Sequence, residues 1–534
     1  MRSALPLYAA KTAPRTTARR RLYLAALVSI FAATAAAGMW VRVAGVPSRF
    51  FWCDEAVTAL RVSGHTSRDS IMAIANGAPR TAAQILRFAG RGEQRGLSDT
   101  VRSLASEDAQ HPPLFYLATA VWTRAAGASI AQLRVPALVF GVLVPFAIAW
   151  LCWELYGTLL AAVLGFALAA LSPVLVVQSQ EAREYGLWAL LFALCTACLL
   201  RASRTAVKRW WVAYGIFAVL GLYADAMFGV TLLAHAVYAA LLLRGSRLRN
   251  FIVGVGAALA LFLPWLLTMA SHADTILWTN RWSAAPWPLA ALAKAWMFNA
   301  GTAFFDLEYA NHRAWIVVLL LAVLTACAIL WNLTRTAKRS RTLTAALLLL
   351  PVLTLLGPDL LFHAHRSSIT RYGMPLWVML LVCVAGFLAS RIRLGQSVVR
   401  AWWTCVAAVL VMLCAVSSLV DAKSTFGWDN DSTGWIKPVA QQVNASENSL
   451  LVIPAYYADV LDFAFYLKPQ VRVLVISTLP NPAALRGYRT VYLLGLPASA
   501  PQYERALGCC VTNVPVAMPG HLQQGLMLMR RQAK

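Results

Sequence analysis

The chain has 534 residues, of which 60% are hydrophobic and 13% charged, with 20 Trp and a formal net charge of +25. This composition excludes a soluble globular protein and indicates a polytopic α-helical membrane protein. The Lys and Arg fall mostly in short clusters between apolar runs, the pattern of membrane orientation signals, so nucleic acid is excluded as a partner.

The basic start (Arg15, Arg19, Arg20, Arg21) precedes a long apolar segment without a convincing small-residue cleavage site. Residues 1–21 therefore read as a cytoplasmic N-terminus before a retained first helix. Apolar windows follow at about 22–42, 135–155, 158–177, 186–201, 210–224, 227–243, 251–269, 314–332, 343–362, 373–390 and 402–420, which predicts about eleven spans over 22–420. With the N-terminus inside, the inner loops carry Arg201/Arg204/Lys208/Arg209, Arg244/Arg247/Arg249, Arg335/Lys338/Arg339/Arg341 and Arg391/Arg393/Arg400. That alternation follows the positive-inside rule. Pro112–Gly127 is apolar but short, opens on two prolines and holds Arg124; counting it as a span would invert every basic cluster. It reads as a juxtamembrane helix on the outer face.

The outer side thus receives a large first loop (about 43–134), turns at Gln178–Tyr185 and Tyr223–Phe228, a loop at about 270–313, the segment His363–Tyr372, and the tail 421–534. In the tail, Leu450–Ile453, Val471–Ile476 and Thr490–Leu494 read as short buried strands, with amphipathic helices at Gly434–Asn444 and Tyr457–Leu467. This predicts a small C-terminal α/β domain outside the membrane. The ten Cys are scattered; Cys152, Cys195, Cys198 and Cys383 lie in apolar runs and read as small hydrophobes, and a disulfide between the vicinal Cys509 and Cys510 is left open.

Asp54 and Glu55 form an adjacent acid pair between aromatics, just past the first span. They are candidates for general-base or acceptor-orienting work, because a carboxylate can take a proton from an attacking hydroxyl or amine. A solvated pair or an acidic helix cap is the plainer alternative. The same loop holds Glu107, Asp108 and His111 before Pro112-Pro113. Arg183, in Gln178–Tyr185, suits either a headgroup or a lipid phosphate. His363–Tyr372 adds Arg366, Arg371 and a His-x-His pair. No fixed carboxylate sits beside that pair, so no metal site is assigned to it. Asp225 reads as helix-end polarity. Trp52, Tyr185 and Tyr372 suit stacking on a sugar or the interfacial belt. Acids in the first outer loop and Arg in later outer turns describe one site at the outer leaflet.

At these residues the chain resembles the GT-C glycosyltransferases, in particular the protein O-mannosyltransferase-like branch with the aminoarabinose-to-lipid A transferases. The matching pieces are Asp54-Glu55, His111-Pro112-Pro113-Leu114-Phe115-Tyr116, Leu133–Ala137, Ser179–Tyr185 and Arg371-Tyr372. The resemblance implies inverting transfer of a sugar from a polyprenyl-phosphate donor to a lipid, glycan or protein acceptor on the periplasmic side of a bacterial inner membrane. It implies Asp54 as the acceptor-activating carboxylate with Glu55 beside it, and Arg183 and Arg371 at the donor phosphate. Asp108, His111, Tyr185 and Tyr372 would orient substrate. The family includes metal-dependent and metal-independent members, so a divalent metal is left open. The outer loop at 65–105, with Gly90–Gly92, is longer and more polar than the resemblance leads one to expect. A lipid-linked sugar flippase, or a non-catalytic partner of envelope polysaccharide assembly, is the alternative reading. The spans are nearly free of acids, which argues against a transporter with midplane charges.

Overall fold

The computed structural model describes residues 17–47, 49–90, 92, 95–205, 207–306, 314–423, 435–455, 457–477, 479–495, 500–507, 511–514 and 527–531. Arg15, Cys509 and Cys510 lie outside the described residues. All eleven apolar windows fall on helices, and eight of these helices are long and apolar enough to cross a membrane. The window at 158–177 is broken. Its helices Leu159–Leu171 and Pro173–Val177 meet at Ser172, which is extended because a residue before proline avoids the helical region. Two helices form the centre of the bundle: Tyr185–Thr205 has 89% of its apolar window buried and Thr370–Leu394 has 94%. Gly245–Ser271, with only 22% buried, turns apolar side chains outward, where lipid would cover them.

The helix Ile130–Tyr156 relates the two ends of the bundle. Near its C-terminus, Glu154 is buried and pairs with Arg201 (3.3 Å) and Arg204, while Leu155 O accepts a bond from Ser340 Oγ (3.0 Å). The basic clusters around 201–204 and 335–341 therefore share this end. Their partial neutralisation by Glu154 was not foreseen, because that acid closes a different helix. Near its start, Arg134 meets Glu55 of the first loop, and Glu55 also accepts the Ala182 N–H of the turn after Val177, so both lie at the opposite end. Pro112–Gly127 resolves into the helix Leu114–Ala126, too short to span. The polar stretch 65–105 forms the helices Ser67–Ile74, Ala82–Leu86 and Leu97–Glu107.

The tail builds a sheet, but not alone. Its strands are β1 (Arg80–Thr81), β2 (Ser449–Pro454), β3 (Arg472–Ile476), β4 (Thr490–Gly495), β5 (Val511–Val514) and β6 (Met527–Arg531), in the order β1-β3-β2-β4-β6-β5. The three strands read from sequence are the parallel centre β3-β2-β4. Leu450, Leu451, Val452 and Ile453 are all buried, as a strand covered on both faces requires. The helices Ile436–Asn444 and Tyr457–Tyr466 pack with Leu451 and Ile453 on one face. Leu450, Val452, Leu474 and Tyr503 pack on the other. The outer strands β5 and β6 were not foreseen, and β1 comes from the first loop, pairing antiparallel with β3. A two-residue strand carries almost no sequence signal of its own.

Candidate active site

The helix Cys53–Val62 begins at Trp52, which is extended and makes no side-chain cap bond; Asp54 and Glu55 lie in its first turn, where acids complement the helix dipole. Successive residues on a helix point about 100° apart, and here that separates the two acids completely. Glu55 is buried. Its Oε1 and Oε2 accept bonds from Arg134 Nε (2.8 Å) and Nη2 (2.6 Å), and Oε1 also accepts the Ala182 N–H (2.7 Å). Arg134 spends its remaining N–H groups on the carbonyls of Val46 (2.6 Å), Arg49 (3.0 Å) and Phe50 (2.9 Å). Glu55, placed beside Asp54 as a catalytic candidate, is thus an anchor that ties the first loop to the turn after Val177. The turn sits tightly because Gly141 has no side chain; a Cβ there would collide with Ser179.

Asp54 points the other way, with 31% of its side chain exposed. Its Oδ2 lies 3.5 Å from Arg371 Nη2. Arg371 projects from the short turn Thr370–Gly373, with its guanidinium over the Trp52 ring (4.9 Å) and the Tyr372 ring (5.5 Å). Residues more than 300 positions apart thus form one partly open acid–base corner, flanked by two aromatics.

Arg183 lies behind that corner. Its Nη1 donates to Thr58 Oγ1 (3.2 Å), Tyr116 OH (3.1 Å) and Asp54 O (3.5 Å), and its Nη2 pairs with Glu184 (3.2 Å). The Tyr185 ring lies 5.7 Å from its guanidinium carbon. Arg183 is buried, and this geometry holds the first turn of the Asp54 helix. His111 Nδ1 lies 2.9 Å from Glu184 Oε1, with 22% of the His111 side chain exposed. Asp108 faces away, accepting from Arg61 Nε (2.9 Å), while Glu107 accepts from Arg61 Nη1 (2.6 Å). Asp225 Oδ1 accepts the Met227 N–H (2.7 Å), which is a helix-end role. His365 stacks on Trp287 (4.7 Å) and meets Ala285 O (2.8 Å), which accounts for the second histidine of His-x-His.

The ionisation of this network follows from its contacts. Burial pushes the Glu184 pKa up, but Arg183 and His111 outweigh it and bring it down to about 2. Burial lowers that of His111, yet the Glu184 charge reverses the sign and leaves it raised. Burial likewise opposes the charge on Asp108, and Arg61 more than compensates, so its pKa is lowered. Burial, reinforced by Glu184, raises that of Asp225 to about 7.

A raised folded-state value means that the His111–Glu184 pair stabilises fully below the ordinary His pKa of 6.5 and fades as pH rises through the folded value. The depressed Glu184 loses its contribution only as pH falls from about 4.5 toward about 2. His111→Gln should therefore cost more Tm below pH 6.5 than well above it. Thermal unfolding in detergent across that range is the check; a pH-independent difference from wild type would contradict it.

Of the sequence candidates, Asp54 and Arg371 meet directly, and Arg183, His111, Tyr185 and Tyr372 surround them. Glu55 and Asp108 are engaged in structural pairs. Arg134, Glu184 and Arg61 were missed as individual residues. Arg134 and Glu184 sat in quoted motifs and Arg61 in none, and only contact shows that their partners lie in other segments.

Residues 110–267 match the family described as dolichyl-phosphate-mannose-protein mannosyltransferase. Over this stretch, less than a third of its length, the chain is similar to that family. The resemblance read from the motifs is borne out there, and the matched segment carries His111, Tyr116, Arg134, Arg183 and Glu184. It begins after Asp54 and ends before Arg371. No curated protein matches the chain. Among solved structures, the chain is similar to ArnT from Cupriavidus metallidurans bound to undecaprenyl phosphate, at 13% identity over 97% of this chain and 98% of that one, with a TM-score of 0.48. It is also similar to the Archaeoglobus fulgidus oligosaccharyltransferase tethered to an acceptor peptide, at 11% identity over 89% and 69%, with a TM-score of 0.47.

Proposed function

We propose that the protein is a membrane glycosyltransferase that moves a sugar, with inversion, from a polyprenyl-phosphate donor to an acceptor at the periplasmic face of a bacterial inner membrane. The observation that carries this reading is the half-open Asp54 carboxylate beside Arg371, at the end of the bundle opposite the basic clusters. Asp54 takes the proton of an acceptor hydroxyl or amine as that atom attacks the anomeric carbon. The bond from that carbon to the phosphate oxygen breaks, and its electron pair leaves with the lipid phosphate. Arg371 meets the charge gathering there, as a cation aimed at a departing oxyanion should. Tyr372, half-buried, offers a ring to the sugar, whereas Trp52 is buried and backs Arg371 instead. Arg183, with both Nη groups engaged by Asp54 O, Thr58, Tyr116 and Glu184, holds Asp54 in place. Lipid A, an envelope glycan or a protein would each supply a suitable nucleophile.

The test is transfer by the purified protein in proteoliposomes supplied with a polyprenyl-phosphate sugar. Arg371→Ala should raise the donor KM or lower kcat/KM by about 10- to 100-fold, the worth of one hydrogen bond to a charged group. Wild-type kinetics in that variant would remove Arg371 from the donor site, and flipping of the lipid without transfer would favour the transporter reading.

A further inference from the structure

The segment that delivers Asp54 is held from two directions. From the bundle, Arg134 takes the carbonyls of Val46, Arg49 and Phe50. From the C-terminal domain, Tyr466 takes the next peptide: its OH accepts the Phe51 N–H (2.6 Å) and lies 3.4 Å from Phe51 O, to which it donates. The Tyr466 ring stacks on Phe50 (5.2 Å between centroids, 4° between planes), and Phe465 packs on Phe51 (4.5 Å). Phe50 and Phe51 are both buried.

These contacts fall immediately before Trp52, where the helix starts without a side-chain cap. The direction in which the helix leaves is therefore set largely by how its entering chain is held. A small rotation there would swing Asp54 relative to Arg371, while Glu55 keeps its own anchor. Tyr466 closes the helix Tyr457–Tyr466, which packs against the Cys53–Val62 helix. The same domain is fixed to the first loop a second time, through β1 and β3.

Resting on the glycosyltransferase reading, we propose that Tyr466 is a positioning residue for Asp54, so that the C-terminal domain is a working part of the active site. Its hydroxyl fixes the Phe51 peptide and, through Trp52, the bearing of the Asp54 carboxylate. The domain thereby couples its own docking to the geometry of the reaction.

Tyr466→Phe removes the hydroxyl and keeps the stacking ring. It should lower kcat about 10- to 100-fold, the cost of a small misplacement of a reacting group. The donor KM should stay within about twofold, because Arg371 is untouched. Hydrogen exchange across residues 50–55 should quicken in the same variant, a readout that needs no turnover. Tyr492→Phe is the control: that hydroxyl bonds Ser446 Oγ (2.7 Å) inside the domain and does not touch the Asp54 segment. It should leave kcat and exchange at 50–55 unchanged. Unaltered kcat and exchange in Tyr466→Phe, or an equal loss in Tyr492→Phe, would overturn the proposal. Failure of the underlying reading looks different. An Asp54→Asn variant as active as wild type would sink the catalytic role, while faster exchange in Tyr466→Phe would still establish the clamp.

Discussion

Asp54→Asn should abolish sugar transfer while leaving the protein folded. The carboxylate is partly exposed, and its charged contact is a 3.5 Å approach to Arg371. Arg371 is itself buried, with its guanidinium over Trp52 and Tyr372, so an isosteric amide at position 54 lowers stability somewhat but leaves that packing in place. Asn has nearly the same shape but cannot take the proton of an attacking hydroxyl. The loss in kcat should be about 10²–10⁴-fold, the range for a positioned general base. Donor KM should change little, because the proton transfer belongs to the transition state. Kinetics with a polyprenyl-phosphate sugar, alongside thermal unfolding of the same preparation, decide the matter. Wild-type turnover would end the base assignment. An unfolded variant would show instead that Asp54 carries a structural load that its exposure does not reveal.

Much of this site was legible before any coordinates, because it depends on sidedness. Basic clusters of Arg and Lys place Asp54, Arg183 and Arg371 at one end of the bundle, and the structure brings them together there. The central strands were readable from their apolar runs: Leu450–Ile453 and Val473–Ile476 are short, continuous and rich in β-branched residues, as strands buried on both faces are. What could not be read was partnership. Nothing in Asp54-Glu55 as a dipeptide says which acid turns to solvent. That follows from Arg134, 79 positions from Glu55, arriving beneath the second acid. Likewise, Arg183 in an outer turn looks free to meet a phosphate. Its engagement with Thr58, Tyr116 and Glu184 appears only when three segments converge. Arg80–Thr81 is too short for any periodicity, so its place on the edge of the C-terminal sheet was invisible.

Glu55→Gln should give the opposite phenotype to Asp54→Asn, although the two residues are adjacent. The Arg134–Glu55 pair has no exposed side-chain surface on either partner. Removing one charge leaves the other buried without its counter-ion, which costs about 3–5 kcal/mol. That is a large share of the roughly 5–15 kcal/mol that holds a typical domain together. The expected result is poor recovery of folded protein and a markedly lower Tm in detergent. Replacing both partners, as Glu55→Leu with Arg134→Met, should not recover this. It removes the stranded charge, but it leaves the carbonyls of Val46, Arg49 and Phe50 and the Ala182 N–H without their present partners. Each orphaned group costs about 1–3 kcal/mol if water cannot reach it. The double variant should therefore be no more stable than Glu55→Gln, in which Arg134 still holds the three carbonyls. A Glu55→Gln protein with wild-type Tm and no turnover would reverse the assignment of the two acids, because a group that can be neutralised without structural cost but not without loss of activity is acting on substrate.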